Sequence, residues 1–192
     1  MIIGIAEWYS PVAPGTGLHP RPGPTSSLQT FFPEVDPSWE TLFYPSRKGE
    51  TVAELHDRID IFIRAFGTTL EQRLPVESTR RLLMVSHAAT TIALVRSLTG
   101  DREMPMKVGC CSITELDKRE DLEKDRLKEV IGVWKPIMLV SGDHLKGGSS
   151  REWGFEDIEV EKGRVRLFFG FNLQMLIFWA GRRGSRSVRI TA

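Results

Sequence analysis

Residues 82–91 read Leu-Leu-Met-Val-Ser-His-Ala-Ala-Thr-Thr, and this stretch decides the fold class. Its first four residues form a short continuous apolar run, which is typical of a strand covered on both faces. After Ser86 and His87 the apolar side chains recur at helical spacing, and Gly100 is suited to end that helix. A strand, a short turn and a helix in succession predict an α/β fold.

A second helix is predicted upstream of this unit. Thr51 and Glu54 have the spacing of a capping box, and apolar residues follow at steps of three and four. Gly67 is expected to end the helix. The predicted apolar face comprises Val52, Leu55, Ile59, Phe62, Ile63 and Phe66.

The rest of the chain adds strands and loops around these two elements. Residues 10–48 interleave prolines and glycines with aromatic residues, which predicts a long ordered loop of the kind that often has a function. Residues 108–116 predict a strand, and Pro136 predicts that the strand at 133–140 lies on a sheet edge. A hairpin is expected around residues 162–163.

The composition bounds the classes of protein to consider. Lys and Arg total 26 and Asp and Glu total 25, so the net charge of +1 indicates neither a strongly basic nucleic-acid binder nor an acidic tail. The longest apolar stretch, 167–180, is shorter than the ~20 residues that a membrane helix needs, so no membrane partner is predicted. The adjacent Cys110 and Cys111 do not form a disulfide framework, which favours a reducing compartment, cytoplasmic or nuclear.

The last residues, 181–192, differ from the body of the chain because they contain four arginines and no acids. A basic tip of this kind can contact nucleic acid, and this tail is the one place where we expect such contact. The alternative is a disordered end.

His87 is the histidine whose position suggests chemistry. It follows a predicted buried strand and precedes a helix, and ligands of open α/β sheets bind at the carboxyl ends of strands. The helix N-terminus favours phosphate, and the small Ala88 leaves room for an anion. His19, His56 and His144 are interpreted as structural, and the histidine and cysteine spacings predict no metal site.

Three segments, in order, resemble the histidine phosphatase superfamily, which has the phosphoglycerate-mutase-like fold. Residues 83–91 resemble its second histidine motif. Residues 4–9 resemble the Gly-Leu-x-Glu-Trp segment of the branch that contains the ubiquitin-associated and SH3-domain tyrosine phosphatases, and residues 49–58 resemble the Gly-Glu-Ser…Arg helix. The proline-rich loop and residues 151–156 also resemble the fungal phosphatase-like branch.

The resemblance implies a three-layer α/β sandwich and phosphoryl chemistry without a cofactor or metal. His87 would hold the transferring phosphoryl group together with Ala88 and stabilise the charge on its oxygens. Glu7 would act as the acid that protonates the leaving oxygen and later activates water. The substrate would be a phosphomonoester, either a phosphorylated small molecule or a phosphoprotein.

The chain departs from the superfamily pattern in one important respect. Members place the nucleophilic histidine in an Arg-His-Gly motif on the first strand, and these 192 residues contain no Arg-His-Gly. The resemblance therefore predicts a sandwich that lacks its first strand, with the neighbouring strand left unpaired. On this interpretation residues 1–166 form a partial histidine-phosphatase-like domain, and residues 167–192 are an unplaced apolar segment and basic tail.

Three hypotheses follow for the function. The first is a phosphatase-like domain acting on a phosphomonoester, incomplete and weak or inactive as written, in a chain that is truncated or starts at the wrong residue. The second is a non-catalytic interaction subunit, for example in an RNA polymerase III transcription factor complex, with protein partners. The third is a fragment without a function of its own.

Overall fold

A computed structural model describes residues 3–21, 23–39, 41–74, 81–123, 125, 129–158, 160–161, 164–165 and 187–191. The described helices are α1 (Thr25–Gln29), α2 (Val52–Arg73) and α3 (Ala88–Thr99), with short 3-10 helices at Ile3–Ile5 and Phe155–Asp157. The described strands are β1 (Arg81–Val85), β2 (Val108–Cys110), β3 (Ile113–Lys118), β4 (Trp134–Ser141), β5 (Ser150–Trp153), β6 (Val160–Glu161), β7 (Arg164–Val165) and β8 (Ser187–Thr191).

The largest sheet has four strands in the order β1-β8-β3-β4. β1 and β8 are parallel, whereas β8 with β3 and β3 with β4 are antiparallel, so the sheet is mixed. Two further two-stranded antiparallel sheets join β2 with β5 and β6 with β7. The α/β class predicted from the sequence is confirmed at this level, and the β6–β7 pair confirms the hairpin expected around residues 162–163.

α2 begins as the sequence predicts. Thr51 accepts a hydrogen bond from the backbone N–H of Glu54, and the Glu54 carboxylate accepts one from the backbone N–H of Thr51, which completes the capping box. The prediction that Gly67 ends the helix is wrong, because α2 continues to Arg73. Gly67 is needed for a close approach instead: a Cβ there would lie 2.8 Å from Cγ2 of Val130.

The two long helices pack together over the sheet in one core. Nine of the twelve α3 residues are buried, which explains why the helix is apolar on most of its circumference. Gly100 ends α3 with φ +77°, the left-handed conformation that glycine adopts without strain. The core contributions of α2 come from Leu55, Ile59, Phe62, Ile63 and Phe66.

Two predicted strands differ in detail from the structure. The apolar run predicts that β1 is covered on both faces, but only Met84 is fully buried, and β1 is an edge strand of the described sheet. The single strand expected over 108–116 is broken into β2 and β3, which belong to different sheets. The break falls at Cys111, whose φ of 59° interrupts the extended backbone.

Part of the segment that the sequence leaves unplaced lies inside the main sheet. β8 is hydrogen-bonded to β1 on one side and to β3 on the other, and Ile190 is fully buried. β8 pairs with one side of β1, and the other side of β1 is an edge of the described sheet, so the expectation of a missing first strand stays a prediction. The apolar stretch 167–180 lies outside the described residues, and the division into 1–166 and 167–192 stays a prediction.

The edge strand and the long loop follow the sequence pattern. β4 is an edge of the described sheet and carries Pro136, as predicted. The described part of residues 10–48 is ordered by its own hydrogen bonds and includes α1. Trp39 of this loop packs on the core beside Phe66, with ring centroids 6.3 Å apart.

Candidate functional site

Glu7 and His87, the two residues that the resemblance implicates in catalysis, lie side by side. β1 ends at Val85, and His87 is the N-cap residue of α3, with the extended backbone typical of that position. Its Nδ1 lies 2.7 Å from Oε2 of Glu7, and each side chain is 36% exposed. The pair therefore lies at the surface, where a ligand can reach it. Because Glu7 contacts Nδ1 of His87, Nε2 is the ring nitrogen that is left to contact a ligand.

Hydroxyl groups around His87 hold the segment that carries Glu7. The Ser86 hydroxyl donates to the carbonyl of Ile5 at 2.7 Å, and the Thr90 hydroxyl donates to the carbonyl of Ala6 at 2.8 Å. Both hydroxyl-bearing residues are buried. The turn between β1 and α3 is thus joined directly to the backbone that carries Glu7, which fixes the distance between the Glu7 and His87 side chains.

A buried ion pair between Arg58 and Glu50 contacts the segment that carries Glu7. Nε of Arg58 on α2 lies 2.9 Å from the Glu50 carboxylate, and Nη1 donates to the carbonyl of Gly4 at 2.6 Å. The indole N–H of Trp8 donates to the carbonyl of Glu50 at 2.8 Å. Burial raises the pKa of Glu50 and lowers the pKa of Arg58 despite their mutual attraction.

Glu50 should give the folding equilibrium a specific pH dependence. Its raised pKa means that the folded protein binds the carboxyl proton more tightly than the unfolded chain does. Its stabilising contribution is therefore complete below pH 4.5 and is lost as the pH rises through the folded pKa. Urea unfolding across this range should show the wild type losing stability relative to Glu50→Gln. A wild type that gains stability relative to Glu50→Gln would contradict this assignment.

An aromatic cluster covers the Trp8 side of the site. Trp8 is 8% exposed and packs against Trp153, with centroids 6.2 Å apart, and edge-on against Phe155 at 6.2 Å. Trp153 belongs to β5 and Phe155 to the following 3-10 helix. Residues 151–156 thus contribute aromatic side chains that pack behind Glu7, whose own carboxylate accepts the backbone N–H of Trp8 at 3.0 Å.

The first turn of α3 provides the setting that the sequence predicts for an anion. Ala88 is the first residue of the helix, and the backbone N–H of Thr91 donates to the carbonyl of His87 at 2.8 Å, the first bond of the helical ladder. The N–H groups before Thr91 precede this ladder and carry the positive end of the helix dipole. Ala88 therefore stands at the predicted position beside His87.

Positive φ angles occur near one end of β3 and β4 and at one residue of β5, which belongs to another sheet. Among the described residues, the non-glycine residues with positive φ are Cys111 (59°), Val140 (46°) and Arg151 (53°). Cys111 and Val140 flank the ends of β3 and β4 where Ile113 pairs with Thr191 of β8. A β-branched residue such as Val140 rarely adopts a positive φ. Residues with such strained backbone angles cluster at functional sites.

The sequence pattern and the resemblance single out Glu7, His87 and Ala88, but they do not predict the groups that position these residues. The burial of Arg58 could have been predicted from the sequence, because Arg58 lies between Leu55 and Phe62 on the apolar face of α2. A charged residue in an apolar stripe indicates a buried pair. β8 carries no such signal, since its short strand lies in an arginine-rich segment.

Within the described ranges the structure contains no group of three or more histidine, cysteine or acidic residues suited to hold a metal ion. Among the described helices, none is both long and apolar enough to cross a membrane. Of the other histidines, His19 stacks on Tyr9 at 4.6 Å, and its Nε2 lies 2.8 Å from the carbonyl of Ser10. Nδ1 of His56 lies 2.8 Å from the carbonyl of Val52. Both rings therefore bond to backbone carbonyls.

No protein-family model matches the chain. The chain is 30% identical over 177 residues to the transcription factor tau 55 kDa subunit of Saccharomyces cerevisiae (strain ATCC 204508 / S288c). The alignment covers 80% of this chain and 39% of that protein, so the chain spans about two fifths of the length of the curated relative that it matches.

Proposed function

We propose that this chain is a non-catalytic interaction subunit of a nuclear transcription factor complex. The observation that carries the proposal is the 30% identity to the transcription factor tau 55 kDa subunit over most of the chain. The resemblance of the proline-rich loop and of residues 151–156 to the fungal phosphatase-like branch points in the same direction. An RNA polymerase III transcription factor complex is the assembly that this resemblance favours, with its other protein subunits as the partners.

The fold supports this proposal as a scaffold of the histidine phosphatase type. A mixed sheet with α3 directly after β1 is compatible with the phosphoglycerate-mutase-like sandwich that the resemblance implies. The strand beside β1 is β8, and it carries no histidine. A scaffold that keeps the paired Glu7 and His87 but has no Arg-His-Gly is suited to binding rather than to turnover through a phosphohistidine.

Co-assembly tests the proposed function directly. The chain would be co-expressed with the other subunits of the transcription factor complex from its own organism and purified through a tag on one of them. Size-exclusion chromatography should place the chain in the complex at a fixed stoichiometry. Elution of the chain alone, near its mass of 21.7 kDa, while the other subunits assemble without it would overturn the proposal.

A second candidate function rests on the 2.7 Å contact between Glu7 and His87. This pair, with Ala88 at the N-terminus of α3, has the composition of a site for the phosphate group of a phosphomonoester. The substrate or ligand would be a phosphorylated small molecule or a phosphoprotein. In an interaction subunit the same groups would bind a phosphorylated partner without hydrolysing it.

Vanadate provides the probe for this candidate site. Millimolar vanadate is expected to raise the melting temperature of the chain, because a ligand that binds only the folded state stabilises it. His87→Ala should abolish the shift, since it removes the imidazole beside the helix N-terminus. Thermal melting of both proteins with and without vanadate makes the measurement, and an equal shift in the two proteins would place vanadate elsewhere.

A further inference from the structure

A polar cleft lies away from the Glu7–His87 pair, and we name it the α2–α3 cleft. Its volume is about 500 Å³, within the usual range of small-ligand pockets. It opens between the start of α2, the second half of α3 and the loop that follows α3. The residues that line it include His56, Arg96, Arg102 and Phe155.

His56 presents an unused acceptor beside this cleft. Its Nδ1 lies 2.8 Å from the carbonyl of Val52, so Nδ1 carries the hydrogen and donates it. Nε2 is then a lone-pair acceptor, and it is buried without a hydrogen-bond partner among the described residues. Burial lowers the pKa of His56, and the positive charges of Arg102 and Arg96 lower it further. The lowered pKa favours the neutral imidazole in the free protein.

Arg102 presents an unused donor in the same place. Its Nη2 is bonded to Oδ2 of Asp60, whose other oxygen accepts the Ser97 hydroxyl at 2.6 Å. Nη1 of Arg102 is buried without a hydrogen-bond partner among the described residues. Asp60 thus fixes the guanidinium of Arg102 in one orientation. Nη1 of Arg102 is left to donate to another group.

Arg96 adds a second oriented guanidinium. Its Nε donates to the carbonyl of Met104 at 3.0 Å, and its guanidinium carbon lies 5.5 Å from the centroid of the Phe155 ring. Backbone and ring together hold the side chain against the cleft wall. Two arginines held by the protein's own groups form a preorganised site for oxygen atoms of an anion.

The acids around the cleft do not cancel this charge. Asp57 and Glu103 line it as well, but both are exposed at its rim, where water and salt screen them. Asp60 is already paired with Arg102. Nη1 of Arg102 is buried, whereas both rim carboxylates are exposed, so water and salt screen the acids more than this donor, and the interior of the cleft favours an anion.

We propose that the α2–α3 cleft binds a phosphate group. A phosphate monoanion offers oxygens to Arg102 and Arg96 and one P–O–H to Nε2 of His56, and so satisfies the buried donor and the buried acceptor together. When the free ligand is a dianion, one proton is taken up from solvent and shared between Nε2 and the phosphate. A carboxylate is ionised at neutral pH and supplies only acceptors, so it cannot donate a hydrogen bond to Nε2 of His56 as a protonated phosphate can.

This site is separate from the Glu7–His87 pair and does not rest on the proposed function. Arg96 lies eight residues beyond Ala88 along α3, about 12 Å along the helix axis at 1.5 Å per residue. Phosphate could come from solution or from a phosphorylated side chain of another protein. The two sources share the same chemistry, and the experiment separates them.

The test is an NMR titration of the full chain with inorganic phosphate, in the His87→Ala background so that the other candidate site is silent. We expect the ring resonances of His56 to shift and saturate, and calorimetry in buffers of different ionisation enthalpy to show proton uptake above pH 7. Arg102→Lys keeps the charge but loses the guanidinium geometry and should weaken binding about tenfold to a hundredfold. Arg119→Lys is the matched control, since the Arg119 side chain is 37% exposed, close to the 40% of Arg102, and pairs with Asp121 outside the cleft.

A second variant guards against a folding defect in the first. His56→Phe keeps a ring against Phe155 and removes Nε2, so it should abolish proton uptake. Tighter binding of a phosphoserine peptide than of inorganic phosphate would identify a protein source, and equal or weaker binding would identify free phosphate. The proposal is overturned if His56 shows no saturable shift with tens of millimolar phosphate, or if Arg102→Lys and Arg119→Lys bind phosphate equally.

Discussion

Replacing Arg58 with methionine is expected to lower the free energy of unfolding by about 3–5 kcal/mol, the usual cost of removing one partner of a buried ion pair. Arg58 is 2% exposed, and the substitution would leave the buried Glu50 carboxylate without its cation. It would also remove the donor to the carbonyl of Gly4. Urea unfolding monitored by circular dichroism measures the loss.

Two further variants decide whether the ion pair causes this loss. Arg64→Met changes an exposed arginine of the same helix and should alter stability by no more than about 0.5 kcal/mol. The double variant Arg58→Met with Glu50→Leu should recover part of the loss, because no uncompensated charge is left buried. Equal stability of Arg58→Met and Arg64→Met would contradict the buried pair.

Replacing Ile190 with alanine is expected to lower the free energy of unfolding by about 2–5 kcal/mol, as for other fully buried isoleucines. Ile190 is 0% exposed in β8, with Met84 of β1 and Thr114 of β3 as its register neighbours. The substitution leaves a cavity between the sheet and the helices. Chemical unfolding of the purified variant gives the value.

The chain offers a matched control for this prediction. Ile137 lies on the edge strand β4 and is 56% exposed, so Ile137→Ala removes the same atoms with little change in burial. We expect it to alter stability by less than about 1 kcal/mol. If Ile190→Ala were as mild as Ile137→Ala, β8 would not belong to the core sheet, and the strand order β1-β8-β3-β4 would be wrong.

Local patterns in the sequence are enough to predict the elements that carry the site. Each of these local patterns spans only a few residues, so it can be recognised in the sequence without knowledge of the segment that packs against it. The patterns are the apolar run before Ser86, the capping box at Thr51 and Gly100. The pairing of Glu7 with His87 is anticipated only through the resemblance, since 79 residues separate them between positions 7 and 87. No local pattern connects two side chains so far apart.

Features that depend on distant segments could not be predicted. β8 is a strand because β1 and β3 flank it, and neither neighbour is visible from its own five residues. Gly67 has the local pattern of a helix end, although it is there because Val130 approaches it across the core. The polar groups of the α2–α3 cleft come from two helices and a loop, and only the folded chain brings them together.

We propose that the Glu7–His87 pair belongs to a binding subunit. A phosphohistidine mechanism requires a nucleophilic histidine besides His87, and the chain contains no Arg-His-Gly to supply it. His19 and His56 each bond to a backbone carbonyl. On this proposal Glu7, His87 and Ala88 would bind a phosphate group and stabilise its charge without forming a phosphohistidine.

The most direct test of this claim is hydrolysis of p-nitrophenyl phosphate by the purified full chain, compared with His87→Ala and with Arg64→Met as a surface control. Circular dichroism and thermal melting would first establish that all three proteins are folded. A binding subunit should give the same background rate of nitrophenol release in all three proteins. Turnover by the wild type and Arg64→Met that is lost in His87→Ala would contradict this claim and identify the chain as a phosphatase.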